Sequence, residues 1–207
     1  MGFVMSLGFP LLLNLAGRLV VVVGGGAVGS RKAAAALATG ARVRVVDPAS
    51  LSLDGIEHIR DAYRAEHLDG AFLAFAAATP EVNAQVVADA RIRGIWVNSA
   101  SDPAGGDFTL PSVVRSGELT VAISTGGAAP ALARRIREKL EAEFDAAFAD
   151  WVRVLGEVRS VVVAEVPDPM RRRELLDGFA DWPWLACIRA EGADAVRAAM
   201  LALVRGW

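Results

Sequence analysis

The chain has one cysteine, Cys187, two histidines and one tyrosine in 207 residues. A lone thiol excludes an intrachain disulfide and any site built from several thiolates, and it fits a reducing cytoplasm. His58 and His67 stand in a polar stretch with no partner at i, i+4 spacing and no carboxylate constellation. They read as surface residues, and no metal site is expected. Charge of one sign is also lacking, since 22 Lys and Arg face 24 Asp and Glu for a formal net charge of -2. No overall excess draws the protein onto nucleic acid or anionic lipid. Long apolar runs are missing too, because glycine, arginine or aspartate interrupts each one before the ~20 residues of a membrane span. The apolar opening 1–13 has neither a basic lead nor a small-residue cleavage site, and it reads as lead-in to the fold.

What is present is a globular mixture, 54% hydrophobic and 22% charged, long enough for a nucleotide-binding domain followed by a smaller one. Residues 19–23 form an unbroken aliphatic run ending in three glycines, as expected of a strand buried on both faces of a parallel sheet. Small and helix-forming residues fill 27–39, Gly40 stands where a C-cap belongs, and 42–47 gives a second strand. Strand, glycine turn, helix and strand within about thirty residues make the βαβ unit of a doubly wound fold.

A third strand is expected over 71–77. Thr79-Pro80 then opens a helix to about residue 93, with the threonine capping and the proline in the first turn. A short strand over 95–98 leads into a Ser, Asp, Gly and Pro loop at 99–107, a ligand-binding position in doubly wound folds. Two β-like runs, 108–110 and 119–124, precede a helix over 131–144. The remainder is helical, with apolar spacing at Val152, Leu155, Val158 and Val162 and breaks at Pro167, Pro169 and Pro183. The predicted class is α/β, with an NAD-binding Rossmann domain at 1–112, a dimerisation segment at 113–145 and a small helical domain at 146–207.

Gly24-Gly25-Gly26-Ala27-Val28-Gly29 satisfies G-x-G-x-x-G directly after a buried strand and opening a helix. Gly24 permits the tight turn, Gly26 lets the backbone approach a pyrophosphate, and Gly29 lets helix and strand pack closely. Asp47, ending the second strand, can accept hydrogen bonds from adenosine ribose hydroxyls and would repel a 2′-phosphate, which favours NAD over NADP. A P-loop would need Lys and Ser/Thr directly after the last glycine, where this chain has Ser30-Arg31.

Several motifs in order carry a resemblance over most of 9–143. They are Pro10-Leu11-Leu12-Leu13-Asn14-Leu15, the glycine motif continuing through Arg31-Lys32-Ala33, the turn from Ala78-Thr79 to Asn83, and the segments 98–103, 108–112 and 124–130. On these the chain resembles the precorrin-2 dehydrogenase/sirohydrochlorin ferrochelatase family, which includes the N-terminal part of bacterial siroheme synthases. The resemblance implies an NAD-dependent oxidoreductase that converts precorrin-2 to sirohydrochlorin, a homodimer formed through the middle segment, and a tetrapyrrole held in a cleft between domains. NAD would touch Gly24, Gly26, Ala27 and Val28 at the first turn, and Asp47, Pro48 and Ala49 after the second strand. Thr79 would lie toward the nicotinamide.

At one point the chain departs from the family. Where the family reads Asn-Val-Val-Asp with Pro two residues later, this chain reads Asn98-Ser99-Ala100-Ser101-Asp102-Pro103, so Ser101 holds the expected catalytic position. Asp102 can substitute as proton acceptor, although an aspartate before proline is also an ordinary turn residue. Ser124 and Thr125 can hydrogen-bond substrate carboxylates or cap the next helix. Arg134, with Arg135 and Arg137, can hold acidic groups or form a solvated helix face. Trp151, Trp182 and Trp184 can border a flat macrocycle or fill a helical core. Two other readings are a Rossmann oxidoreductase for another small substrate and an NAD-binding regulatory module that has lost catalysis.

Overall fold

The computed structural model describes residues 8–49 and 51–206. The first seven residues of the apolar opening therefore lie outside the described residues. The chain divides into two compact units, Phe9–Leu110 and a second that runs from Pro111.

The first unit is built on β1 (Leu19–Val23), α1 (Ala27–Leu37), β2 (Arg42–Val46), β3 (Ile56–Ile59), β4 (Leu73–Ala76), α2 (Pro80–Ile92) and β5 (Trp96–Ser99). All five strands are parallel, in the order β3-β2-β1-β4-β5. Every residue of the central β1 is buried, and the two-residue period of a strand sorts them onto opposite faces. Val21 and Val23 join Val86, Val87 and Ala90 of α2 in one core. Val20 and Val22 join Ala33 and Ala36 of α1 in the other. Each such valine contributes about 1.5–3 kcal/mol by leaving water.

α2 starts as its sequence dictates. Thr79 Oγ1 accepts from the Val82 N–H at 3.5 Å, and Pro80 occupies the first turn, where its missing N–H costs nothing. The strand order reverses between β1, whose chain continues toward β2 and β3, and β4, which continues to β5. Open α/β sheets bind ligands at that switch point, outside the carboxyl ends of the strands.

The second unit begins with an antiparallel hairpin of β6 (Ser112–Ser116) and β7 (Leu119–Ile123), paired from Ser116 against Leu119 outward. Gly117 turns it at φ +56°, in the left-handed region that glycine tolerates. Five helices follow: α3 (Pro130–Glu143), α4 (Ala146–Glu165), α5 (Pro169–Phe179), α6 (Pro183–Glu191) and α7 (Ala193–Arg205). The buried stripe of α4 is Phe148, Trp151, Val154, Val158 and Val162, and it packs with Phe179, Leu185, Ile188 and Met200 from the other helices. Asp145 caps α4 through the Phe148 N–H at 3.0 Å, and Asp168 caps α5 through the N–H groups of Met170 and Arg171. Pro169 and Pro183 thus sit in first turns and begin helices. Among the described residues, no helix is long and apolar enough to cross a membrane.

Three expectations need correction. The run 108–110 is not a strand; the hairpin starts at Ser112, and the Phe108 carbonyl instead accepts from Asn98 Nδ2 at 2.8 Å. β3 was not foreseen. His67 is not a surface residue: it is 5% exposed, and its Nδ1 accepts from the Arg64 N–H at 3.1 Å, which satisfies the start of a short 3-10 turn. The tryptophans divide, with Trp151 buried in the helical core, Trp182 exposed and Trp184 between, its indole N–H donating to the Gly178 carbonyl at 3.1 Å.

Candidate functional site

The glycine turn sits at the switch point of the sheet. Gly24 adopts φ +98°, and a Cβ there would strike the Ala77 carbonyl and come within 2.7 Å of the Ala78 nitrogen in the chain leaving β4. A Cβ at Gly29 would strike the Gly24 carbonyl, so both glycines serve close packing of backbone on backbone. Gly26 differs. A Cβ there would meet nothing within 4 Å, because the residue faces open space at the start of α1.

No side chain caps α1 at Gly26, and its first turn holds no acidic residue. The backbone N–H groups of that turn are therefore available to an anion, and the helix dipole adds its partial positive charge. Gly26, Ala27 and Val28 are exposed, and Val28 keeps 40% of its surface in water. An open, backbone-lined rim beside a helix N-terminus fits the pyrophosphate of a dinucleotide.

Asp47 follows β2 directly, half-buried, and its carboxylate is held by the backbone. Oδ2 accepts from the Gly25 N–H at 2.5 Å and Oδ1 from the Ala49 N–H at 2.7 Å. Arg60 Nε donates to the Pro48 carbonyl at 3.2 Å, which steadies the loop in which Pro48 and Ala49 are exposed. The carboxylate has lone pairs beyond these two bonds for ribose hydroxyls.

The loops after β4 and β5 are joined by one buried side chain. Asn83 is 1% exposed; its Oδ1 accepts from the Ala78 N–H at 2.8 Å, and its Nδ2 donates to the Ala78 carbonyl at 3.2 Å and to Ser101 Oγ at 2.9 Å. Ser101 Oγ also lies 3.4 Å from Ser99 Oγ, which accepts from the Asp102 N–H at 3.2 Å. Asp102 Oδ1 accepts from the Gly105 N–H at 3.1 Å, so the carboxylate is exposed and caps its own turn. Thr79 is exposed, and its hydroxyl caps α2.

Lys32 was not singled out for a role by sequence reasoning. Its Nζ donates to Asn98 Oδ1 at 2.7 Å and stands 4.9 Å from the centroid of the Phe75 ring. Burial, and secondarily the charge of Arg31, hold the amine below the usual lysine range. The link ties the glycine helix to the strand that ends at the serine loop.

The remaining candidates lie in the second unit. Ser124 Oγ accepts from the Gly126 N–H at 3.2 Å and Thr125 Oγ1 from the Ala129 N–H at 3.1 Å, both local turn bonds leading into α3. Arg134 is exposed on α3 and reaches Glu138 at 3.8 Å, while Arg137 pairs with Glu141 at 2.7 Å. Among the described residues, no three His, Cys, Asp or Glu side chains cluster as a metal site.

A parallel sheet with this glycine turn at its reversal of strand order, and an aspartate ending the second strand, defines a dinucleotide-binding protein. Comparison with known proteins agrees: residues 11–112 match the family described as putative NAD(P)-binding, and residues 116–143 match the sirohaem biosynthesis protein central segment. The two matched segments follow one another in order along the chain. The siroheme synthase of Chromobacterium violaceum is 36% identical over 200 residues, covering 93% of this chain and 43% of that protein. The siroheme synthase of Gluconacetobacter diazotrophicus is 40% identical over 188 residues, covering 84% and 40%. The chain thus spans about two fifths of the length of the curated relatives it matches. Among solved structures, "SirC, precorrin-2 dehydrogenase" superposes with a TM-score of 0.77 at 26% identity, covering 97% of this chain and all of that one.

Proposed function

We propose that this chain is an NAD-dependent dehydrogenase that converts precorrin-2 to sirohydrochlorin. The observation that carries this reading is the uncapped, open rim at Gly26, set at the switch point of a sheet whose chain continues into the sirohaem biosynthesis segment. The similarity to a precorrin-2 dehydrogenase along nearly the whole chain supports the choice of substrate.

Bound NAD supplies the hydride acceptor. The backbone of Gly24, Gly26, Ala27 and Val28 would hold its pyrophosphate, and Asp47 with the Pro48-Ala49 loop would hold the adenosine ribose. Thr79 would stand toward the nicotinamide. Removing two hydrogens from the macrocycle would leave a hydride for such an acceptor and a proton for the protein or solvent, and extended conjugation favours the product. The protein's task is chiefly to hold the reactants in place. Asp102 spends one oxygen on Gly105 and has its other available for the proton. Ser124, Thr125 and Arg134 are donors suited to the carboxylates of a tetrapyrrole.

The 113–145 segment is the dimerisation segment, followed by a helical domain from 146. The hairpin of β6 and β7 has only two strands, and Leu132 and Ile136 are exposed one turn apart on α3, so a second copy of the chain would bury both features. With Ser101 where the resembled family has an aspartate, iron insertion is weak or absent. An anaerobic assay of precorrin-2 with NAD tests the reading: NADH and sirohydrochlorin form together, and NAD binding without turnover would favour the regulatory module instead.

A further inference from the structure

Hydrogen-bond bookkeeping around Asn83 fixes the polarity of position 101. The Ala78 N–H can only donate, so the Asn83 atom 2.8 Å from it is the amide oxygen. The other amide atom faces the Ala78 carbonyl at 3.2 Å and is therefore the nitrogen, which also points its second hydrogen at Ser101 Oγ, 2.9 Å away. Asn83 is 1% exposed, so no exchange with water relaxes this arrangement. Ser101 Oγ must accept from Asn83. Ser99, 3% exposed, accepts from the Asp102 N–H, and its Oγ lies 3.4 Å from Ser101 Oγ, where either hydroxyl can be the donor. With one lone pair held by Asn83 Nδ2, the Ser101 O–H is turned away from Asn83 and is left to donate to another group.

We infer that Asn83 is a positioning residue that fixes Ser101 as a hydrogen-bond donor, so that position 101 offers a proton to a carboxylate or carbonyl oxygen of the tetrapyrrole and does not serve as the reaction's base. This rests on the reading that the loop after β5 faces the tetrapyrrole. Ser101 is exposed and can meet a ligand, whereas Asn83 is buried and reaches a ligand only through the groups it bonds.

The test is equilibrium binding of sirohydrochlorin, followed by its absorbance, alongside NAD binding and NADH formation from precorrin-2. Ser101→Ala is expected to weaken sirohydrochlorin binding about tenfold, the worth of one hydrogen bond to a charged group, with NAD affinity unchanged. Ser101→Thr keeps the hydroxyl and stays within about twofold of the parent. Asn83→Asp preserves shape but can only accept, which turns the Ser101 O–H inward; it should match the loss in Ser101→Ala and add almost nothing in that background. Equal binding by the parent and Ser101→Ala would overturn the inference, as would an Asn83→Asp loss that persists in full without the serine hydroxyl. Ser101→Ala and Ser101→Thr alter an exposed side chain, so they decide the matter even if Asn83→Asp folds poorly. A parent protein that binds sirohydrochlorin yet forms no NADH overturns only the dehydrogenase reading, and one that binds no tetrapyrrole overturns both.

Discussion

The carboxylate of Asp47 accepts a hydrogen bond from the backbone N–H of Gly25, so the end of β2 is fastened to the glycine turn that follows β1. The residue expected to read the ribose is also the residue that holds the phosphate loop in register. A second bond, from the Ala49 N–H, fixes the carboxylate from the other side. In the proposed function, recognition of the sugar and placement of the pyrophosphate are therefore one device.

Asp47→Ala removes the ribose acceptor and loosens Gly25 together. NAD affinity should fall about 10–100-fold, and discrimination against NADP should narrow because no carboxylate repels the 2′-phosphate. Parallel fluorescence titrations with both dinucleotides check this; a variant that still prefers NAD to the same degree would contradict the assigned role.

Gly26→Val and Gly24→Val separate binding from folding. A side chain at 26 meets nothing in the protein, so the melting temperature should stay within about 2–3 °C of the parent while NAD affinity drops by at least about 100-fold. At 24 the same change collides with the Ala77 carbonyl at a positive φ, and the first unit should lose its cooperative melt. Undiminished NAD binding by Gly26→Val would remove the cofactor assignment.

Ser101→Asp places a carboxylate where Asn83 Nδ2 already donates, and a charge-assisted bond there would seat it. Iron insertion into sirohydrochlorin should rise more than NADH formation does, since two pyrrole protons must leave as the metal enters. Asp102→Asn can still accept from the Gly105 N–H and keep the turn, so its effect reads out the proton acceptor: NADH formation should fall about 10²-fold. Efficient iron insertion by the parent protein, indifferent to Asp102→Asn, would defeat this division of labour.

Leu132→Glu with Ile136→Glu should convert a dimer to a monomer at micromolar concentration, because charged side chains would face each other across the proposed contact. Light scattering gives the answer directly. A parent protein that is already monomeric rules out the dimer.

The parts of this fold that were legible in the sequence are those in which one element's own residues decide the outcome. The aliphatic run of β1 fixes its strand, Thr79 and Pro80 fix the start of α2, and the spacing of three glycines with Asp47 fixes the cofactor turn. β3 escaped notice because Ile56-Glu57-His58-Ile59 is short, lies at the sheet edge and owes its conformation to pairing with β2. His67 looked like a surface residue since nothing nearby in sequence shows that its ring accepts from Arg64. Asn83 left one trace, a polar residue on the same helical face as Val86, Val87 and Ala90. Its meaning needed the fold, because one of its partners lies in the loop beyond the next strand.

The rim proposed to take the pyrophosphate at α1 offers main-chain groups where a lysine or histidine could have stood. Amide N–H groups do not titrate between acid and alkaline conditions, and no acidic side chain stands in the first turn to gain or lose charge beside them. Grip on the pyrophosphate should accordingly be level with pH where a histidine-lined cradle would release its ligand near neutrality.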